Sequence, residues 1–151
     1  MQNAGSMMKK ALTAFARTFL LAVVLSNACA AADIEDRDAQ ASRDVVSEQL
    51  DAFARDDATR AFSYATPEIR AQFGTADAFM TMVRKSYPAV YRPRSVQFEK
   101  PANIAGEIIQ PVRLTDAEGR AWLALYPMQR DRNGTWRING CQLARAAGVA
   151  T

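Results

Sequence analysis

The sequence predicts one α+β domain, with N-terminal helices packed on a curved four-stranded antiparallel meander sheet. Three observations predict it. Apolar residues recur at helical spacing from Val46 to Tyr87, they switch to a period of two after Pro93, and Gly119 and Gly134 mark turns between the later strands. Helices grouped ahead of an antiparallel meander are the α+β pattern.

The first 32 residues read as an address. Lys9 and Lys10 precede an apolar stretch from Ala11 to Asn27, purest from Phe19 to Leu25, and Ala28-Cys29-Ala30-Ala31-Ala32 follows. A positive start, a short apolar run and an Ala-x-Ala site make a secretory signal peptide. The run is too short for a spanning helix, which needs about 20 residues, and Arg17 interrupts it. Cleavage near Ala30 or Ala32 sends the remainder to the periplasm or outside the cell. Lipid attachment at Cys29 is the alternative; Ala28 suits it, but Leu25 lies one residue too far upstream. Met7 and Met8 are alternative starts.

Removing the leader changes the charge. It carries three of the 19 Lys and Arg residues and no acid, so the remainder holds 16 basic against 16 acidic residues. A neutral domain has no long-range field for a polyanion, which argues against nucleic acid as a partner. Cys141 then stands alone, so no internal disulfide forms.

Residues 33–42 read as a mobile lead-in, charged and Ala-rich without an apolar period. Ser42 is the expected cap of a first helix, with Val46, Leu50 and Phe53 on one face and an end near Asp56. Asp57 caps a short second helix carrying Ala61, Phe62 and Ala65. Thr66-Pro67-Glu68 starts a third, with Ile69 and Phe73 inward and Gly74 as its stop. Thr75 caps a fourth, where Phe79, Met82, Val83 and Tyr87 share a face, and Arg84 and Lys85 suit its last turns.

Val96 and Phe98 alternate in a first strand. Ile108, Val112 and Leu114 alternate in a second, where Pro111 asks for an edge or a bulge. After the Asp116-Ala117-Glu118-Gly119 loop, a third strand from Arg120 to Arg130 puts Trp122, Ala124, Tyr126 and Met128 on one face. Ala121, Leu123 and Leu125 fall on the other. Asn133-Gly134 is a hairpin signal because both residues accept positive φ. Trp136, Ile138, Cys141 and Leu143 form the last strand, with Gly140 as a bulge, and 146–151 read as a tail.

Several segments together resemble the bacterial domain of unknown function 4864. They are Gln49-Leu50-Asp51-Ala52-Phe53, Asp56-Asp57 and Ala61-Phe62-Ser63-Tyr64-Ala65-Thr66-Pro67-Glu68-Ile69, then Phe73-Gly74, Phe79 with Met82-Val83-Arg84, and Tyr87-Pro88-Ala89-Val90-Tyr91-Arg92-Pro93-Arg94-Ser95. Leu114-Thr115-Asp116, Trp122-Leu123-Ala124-Leu125-Tyr126 and Gly134-Thr135-Trp136-Arg137-Ile138-Asn139-Gly140-Cys141 complete the match. The resemblance covers about residues 43–145. It implies an order of elements similar to the nuclear-transport-factor-2-like or cystatin-like cone, and it lends no catalytic or binding residue.

The chain contains no histidine. That excludes the usual Ser-His-Asp and Cys-His sets and common zinc sites, and neither a cofactor nor a metal is expected. Tyr87, Tyr91, Arg92 and Arg94 crowd a Pro-stiffened segment, where two guanidiniums can hold a small anionic ligand; the plainer reading is a junction aiming the chain into the sheet. Tyr64, Trp122 and Tyr126, with Trp136, can line a cavity or fill the core. Asp56 and Asp57 can supply a base of raised pKa, or simply end one helix and cap the next. Cys141 reads as buried packing.

The resulting expectation is an exported, non-catalytic module. It binds a small ligand or an envelope protein through the concave sheet face and can pair as a homodimer. Its candidate ligand-binding residues are Tyr64, Tyr87, Tyr91, Arg92, Arg94, Trp122 and Tyr126. The alternative is a small isomerase- or hydratase-like enzyme using Asp56, Asp57, Tyr64 or Tyr91.

Overall fold

A computed structural model describes residues 34–146; the leader, Cys29, the cleavage sites at Ala30 and Ala32, and residues 147–151 lie outside the described residues. Five helices come first: α1 (Asp36–Ala54), α2 (Ala58–Ser63), α3 (Pro67–Phe73), α4 (Ala76–Ser86) and α5 (Pro88–Tyr91). Strands β1 (Ser95–Phe98), β2 (Ala102–Ile104), β3 (Glu107–Thr115), β4 (Ala121–Arg130), β5 (Trp136–Ile138) and β6 (Gln142–Arg145) follow. The result is α+β, helices then a curled antiparallel sheet.

The helix punctuation is local chemistry. Side-chain oxygens of Asp57, Thr66 and Thr75 accept from the N–H groups of Arg60, Ile69 and Ala78 at the starts of α2, α3 and α4. Gly74 ends α3 at φ 75°, the left-handed conformation that suits glycine. At the end of α1 the N–H groups of Asp56 and Asp57 bond back to the carbonyls of Phe53 and Ala52. Asp56 takes the left-handed position at φ 57°, which Asp tolerates better than most residues.

The start of α1 differs from expectation. The helix begins at Asp36, so most of the supposed lead-in is helical, and Ser42 is a buried residue within it, not a cap. Asp36 and Asp38 place negative charge in the first turn, where the helix dipole favours it. Asp38 also receives Arg130 and the Trp136 indole N–H from the far end of the chain, and Ile34 packs on the core. These distant partners order a stretch that has no apolar period of its own.

The sheet is a four-stranded meander whose outer strands are each broken once. β1 and β2 both pair with β3, and β5 and β6 both pair with β4. The register slips by one residue at each break, which is one extra residue between β1 and β2 and another between β5 and β6. Pro111 and Pro127, on the central strands, face these two bulges: their carbonyls accept from Glu99 N–H and Asn139 N–H. Proline has no N–H to give a ladder, so each outer strand buckles where it meets one. The Gln110 amide fills the first gap, donating to the carbonyls of Glu99 and Pro111. Gly140, at φ 123°, lies in the second.

Ile108, Val112, Leu114, Ala124, Tyr126 and Met128 point inward and are buried, and Val46, Leu50, Phe53, Phe79, Met80, Val83 and Val90 meet them from the helices. Phe79 is the hub, with ring centroids 6.1, 5.4 and 5.5 Å from Phe53, Phe62 and Phe73. At the Asn133-Gly134 turn only Gly134 takes positive φ. The turn is a five-residue loop whose N–H groups at Asn133 and Thr135 bond the Asp131 carboxylate, so Asn133 need not leave ordinary backbone.

Candidate functional site

The inner sheet face and the helices do not close on each other completely. Between α4, α3 and the second bulge they leave a cavity of about 270 Å³. Phe79, Met82, Val83 and Tyr87 line it from the α4 side, Ile69 and Phe73 from α3, and Tyr126, Ile138, Gly140 and Cys141 from the sheet. The α4 residues are the face that helical spacing picked out. Helix α3 has no fully buried residue, so the wall it forms is the loosely held one.

The lining is mostly apolar and carries no charged side chain among the described residues; its polar groups are Gln49, Gln72, the two tyrosines, Cys141 and backbone. Gln49 is occupied, donating to the Ala61 carbonyl at 3.0 Å. Tyr87 donates to the Cys141 carbonyl at 3.3 Å. Tyr126 is different. It is 1% exposed, and its hydroxyl has no hydrogen-bond partner among the described residues. Burial pushes its pKa well above the tyrosine range, and the neighbouring Cys141 thiol adds to the rise. Sulfur is a weak partner, and the pair does not reach hydrogen-bond geometry. An unpaired buried hydroxyl costs about 1–3 kcal/mol, so an orphan beside a cavity is a specific feature. Burial likewise pushes the Cys141 thiol up to about 12, which leaves it protonated and inert at neutral pH.

The residues that looked like a site in the sequence do not converge here. Of the seven candidates, Tyr87 and Tyr126 line the cavity. Tyr91 and Arg92 sit outside it, on Asp56. Arg84 reaches one oxygen of that carboxylate at 2.8 Å and Arg92 the other at 2.5 Å, while the Tyr91 hydroxyl donates to it as well. Both guanidiniums also lie over the Tyr91 ring. The Tyr91 and Arg84 hydrogen bonds hold the Asp56 carboxyl below its usual range. Of the two readings of this pair, the helix end and cap holds and the raised-pKa base does not: Asp56 is kept ionised on the surface, and Asp57 is the exposed cap of α2. The arginine that seemed free for an anionic ligand is engaged by the chain's own carboxylate.

Tyr64 donates to Glu48 at 2.5 Å and accepts from Arg60 at 2.9 Å, away from the cavity. Arg94 is exposed, its backbone N–H opening the sheet against Thr115. The Trp122 indole donates to the Asp116 carboxylate at 2.8 Å and Arg145 stacks on its ring at 4.9 Å. Asp116 is 4% exposed. Burial works against its charge, yet the Trp122 indole, the Arg120 N–H and the Arg120 guanidinium outweigh it and hold its carboxyl far below the usual range. Among the described residues no group of three His, Cys, Asp or Glu side chains is placed to hold a metal ion.

The whole of the described fold lies within one family match. Residues 35–151 match the family model described as Domain of unknown function (DUF4864). The chain belongs to that family. Comparison of this DUF4864 domain with curated proteins and with solved structures finds no match.

Proposed function

We propose that this DUF4864 domain is a cone of the nuclear-transport-factor-2-like type whose cavity binds a compact, uncharged and mainly apolar molecule carrying one polar group. The observation that carries the reading is the Tyr126 hydroxyl, buried and unpaired in a mostly apolar, uncharged wall. An apolar cleft with one or two placed polar groups is the usual form of a small-molecule site. A volume of about 270 Å³ is just below the range of drug-sized sites, so the ligand is compact. A carboxylate or phosphate would enter with no countercharge on the wall, at a high desolvation cost. This replaces the anionic ligand suggested by Arg92 and Arg94.

The test is a set of molecules sharing one medium-length alkyl tail and differing only at the head: ketone, plain alkane and carboxylate. The ketone, whose oxygen accepts from Tyr126, raises the melting temperature most and the carboxylate least. Equal shifts from all three, or none from any, would count against the reading.

We also infer export. The leader ahead of residue 33 has the pattern of a cleaved signal, and the remainder is formally neutral. N-terminal sequencing of the protein from its native cell is expected to begin at Ala31 or Asp33. Recovery of the chain with its leader intact in the cytosol contradicts export.

A further inference from the structure

The opposite face of the sheet carries a second feature. Strand alternation sends Ile109, Pro111, Leu123, Leu125 and Pro127 to the side away from the helices, with Ile104 at one corner. None of them belongs to the core. Ile104 is 59% exposed and the other five are half-buried, each keeping part of its surface open. Side by side across β3 and β4, they form one continuous apolar band where a solvated antiparallel face ordinarily alternates to polar. The helices cover the face with Tyr126, on which Trp122 is partly buried; its reverse carries no helix among the described residues.

We propose that this outer face is the homodimer interface, two copies stacking band to band about a two-fold axis. Area favours it. A face about 30 Å long and four strands wide presents about 600 Å² per copy, or about 1,200 Å² in all, at the lower edge of stable interfaces. Charge favours it as well. The ionic groups on this side flank the band: Arg113, across from Leu123, pairs with Glu99, Arg137 pairs with Asp131, and exposed Glu107 stands at the Ile104 corner, so a second copy meets an apolar centre and a polar rim. A sheet face that is apolar at its centre is self-complementary, which an isologous contact requires. Pro111 and Pro127 give the centre rigid, low relief.

Sedimentation velocity of the purified chain over a range up to tens of micromolar tests this. The wild type is expected to sediment as a dimer, and Leu125→Asp or Ile109→Asp to raise the dissociation constant at least about tenfold. Both positions are half-buried and neither belongs to the core, so circular dichroism should show a native fold; Arg132→Asp, on the distal hairpin, should leave the dimer intact. A wild type that stays monomeric, whether the band is covered by another protein or by the chain's own residues outside 34–146, overturns the proposal. A natively folded Leu125→Asp or Ile109→Asp variant that still dimerises as tightly overturns it too.

Discussion

The Asp56 cluster and the Tyr126 cavity are opposites. The first joins the turn residue Asp56 to charged and aromatic residues of α4 and the α5 end, lies on the surface, and satisfies itself: one carboxylate, two guanidiniums and a phenol, all paired. The second is built from apolar residues scattered from Gln49 to Cys141, lies inside, and leaves one hydroxyl unpaired. Chemically loud residues at the surface pair with one another here, and what they then offer a ligand is small. A quiet wall assembled from α1, α3, α4, α5 and two strands can hold a ligand because one buried hydroxyl in it is still unbonded.

The comparison can be broken most forcefully at Phe79, which the cavity and the core share. Phe79→Ala removes the ring that meets Phe53, Phe62 and Phe73 and is expected to lower unfolding free energy by about 3–5 kcal/mol in urea titrations. A loss well under that range would mean the three rings close over the gap and the cavity wall is softer than described.

Next in size is the response to acid. Asp56, Asp116 and Asp131 all have folded-state pKa values below the ordinary carboxylate value. Their unfolded value is about 3.9, so the stability they contribute is fully present above it and is lost as pH falls through it towards the lower folded values. The urea midpoint should hold near neutrality and drop steeply below about pH 4. Asp116→Asn, which removes the charge that holds Trp122 and Arg120, should lower the neutral midpoint and flatten the acid slope. An unchanged slope would assign the acid response elsewhere.

Alkali probes the cavity side. The Cys141 thiol is raised to about 12 in the folded state, against about 8.5 for an unfolded cysteine. Its share of stability is therefore complete below the unfolded value and declines as pH rises towards the folded one. Correspondingly, a thiol-specific reagent at mildly alkaline pH should label Cys141 far more slowly in the native protein than in urea; equal rates would place the thiol in solvent.

Much of the fold was legible because it is set locally. The caps at Asp57, Thr66 and Thr75, the stop at Gly74 and the alternation of β4 follow from neighbours within four residues. Pro111 even announced its bulge, although the bulge lies in the strand beside it. What escaped depends on distant partners. The first turns of α1 are held by Arg130 and Trp136, and the buried Asp116 is defined by the indole of Trp122. The cavity was half visible: the α4 face and Tyr126 were marked by periodicity, but no pattern says that two packed surfaces leave a space. Asp57 caps α2 as its spacing suggested, while the pairing of Asp56 with Arg84, Tyr91 and Arg92 depends on partners 28 or more residues away and could not be read locally.

Smaller effects sharpen the contrast. Tyr126→Phe deletes an unpaired buried hydroxyl and should raise stability by about 1 kcal/mol or leave it unchanged, while abolishing the preference for the ketone-headed ligand. A clear loss of stability would reveal a partner for the hydroxyl. Smallest of all, Arg92→Ala should barely move the melting temperature, since exposed ion pairs contribute little, and should leave ligand binding untouched.

The most direct measurement is a titration with the neutral apolar fluorophore N-phenyl-1-naphthylamine, on the wild type and on Met82→Trp, whose larger ring narrows the cavity from a half-buried position. A saturable, single-site rise in fluorescence that Met82→Trp weakens and Arg92→Ala leaves alone is the expected result. No saturable binding, or binding indifferent to Met82→Trp in a natively folded variant, would contradict a ligand site behind α4.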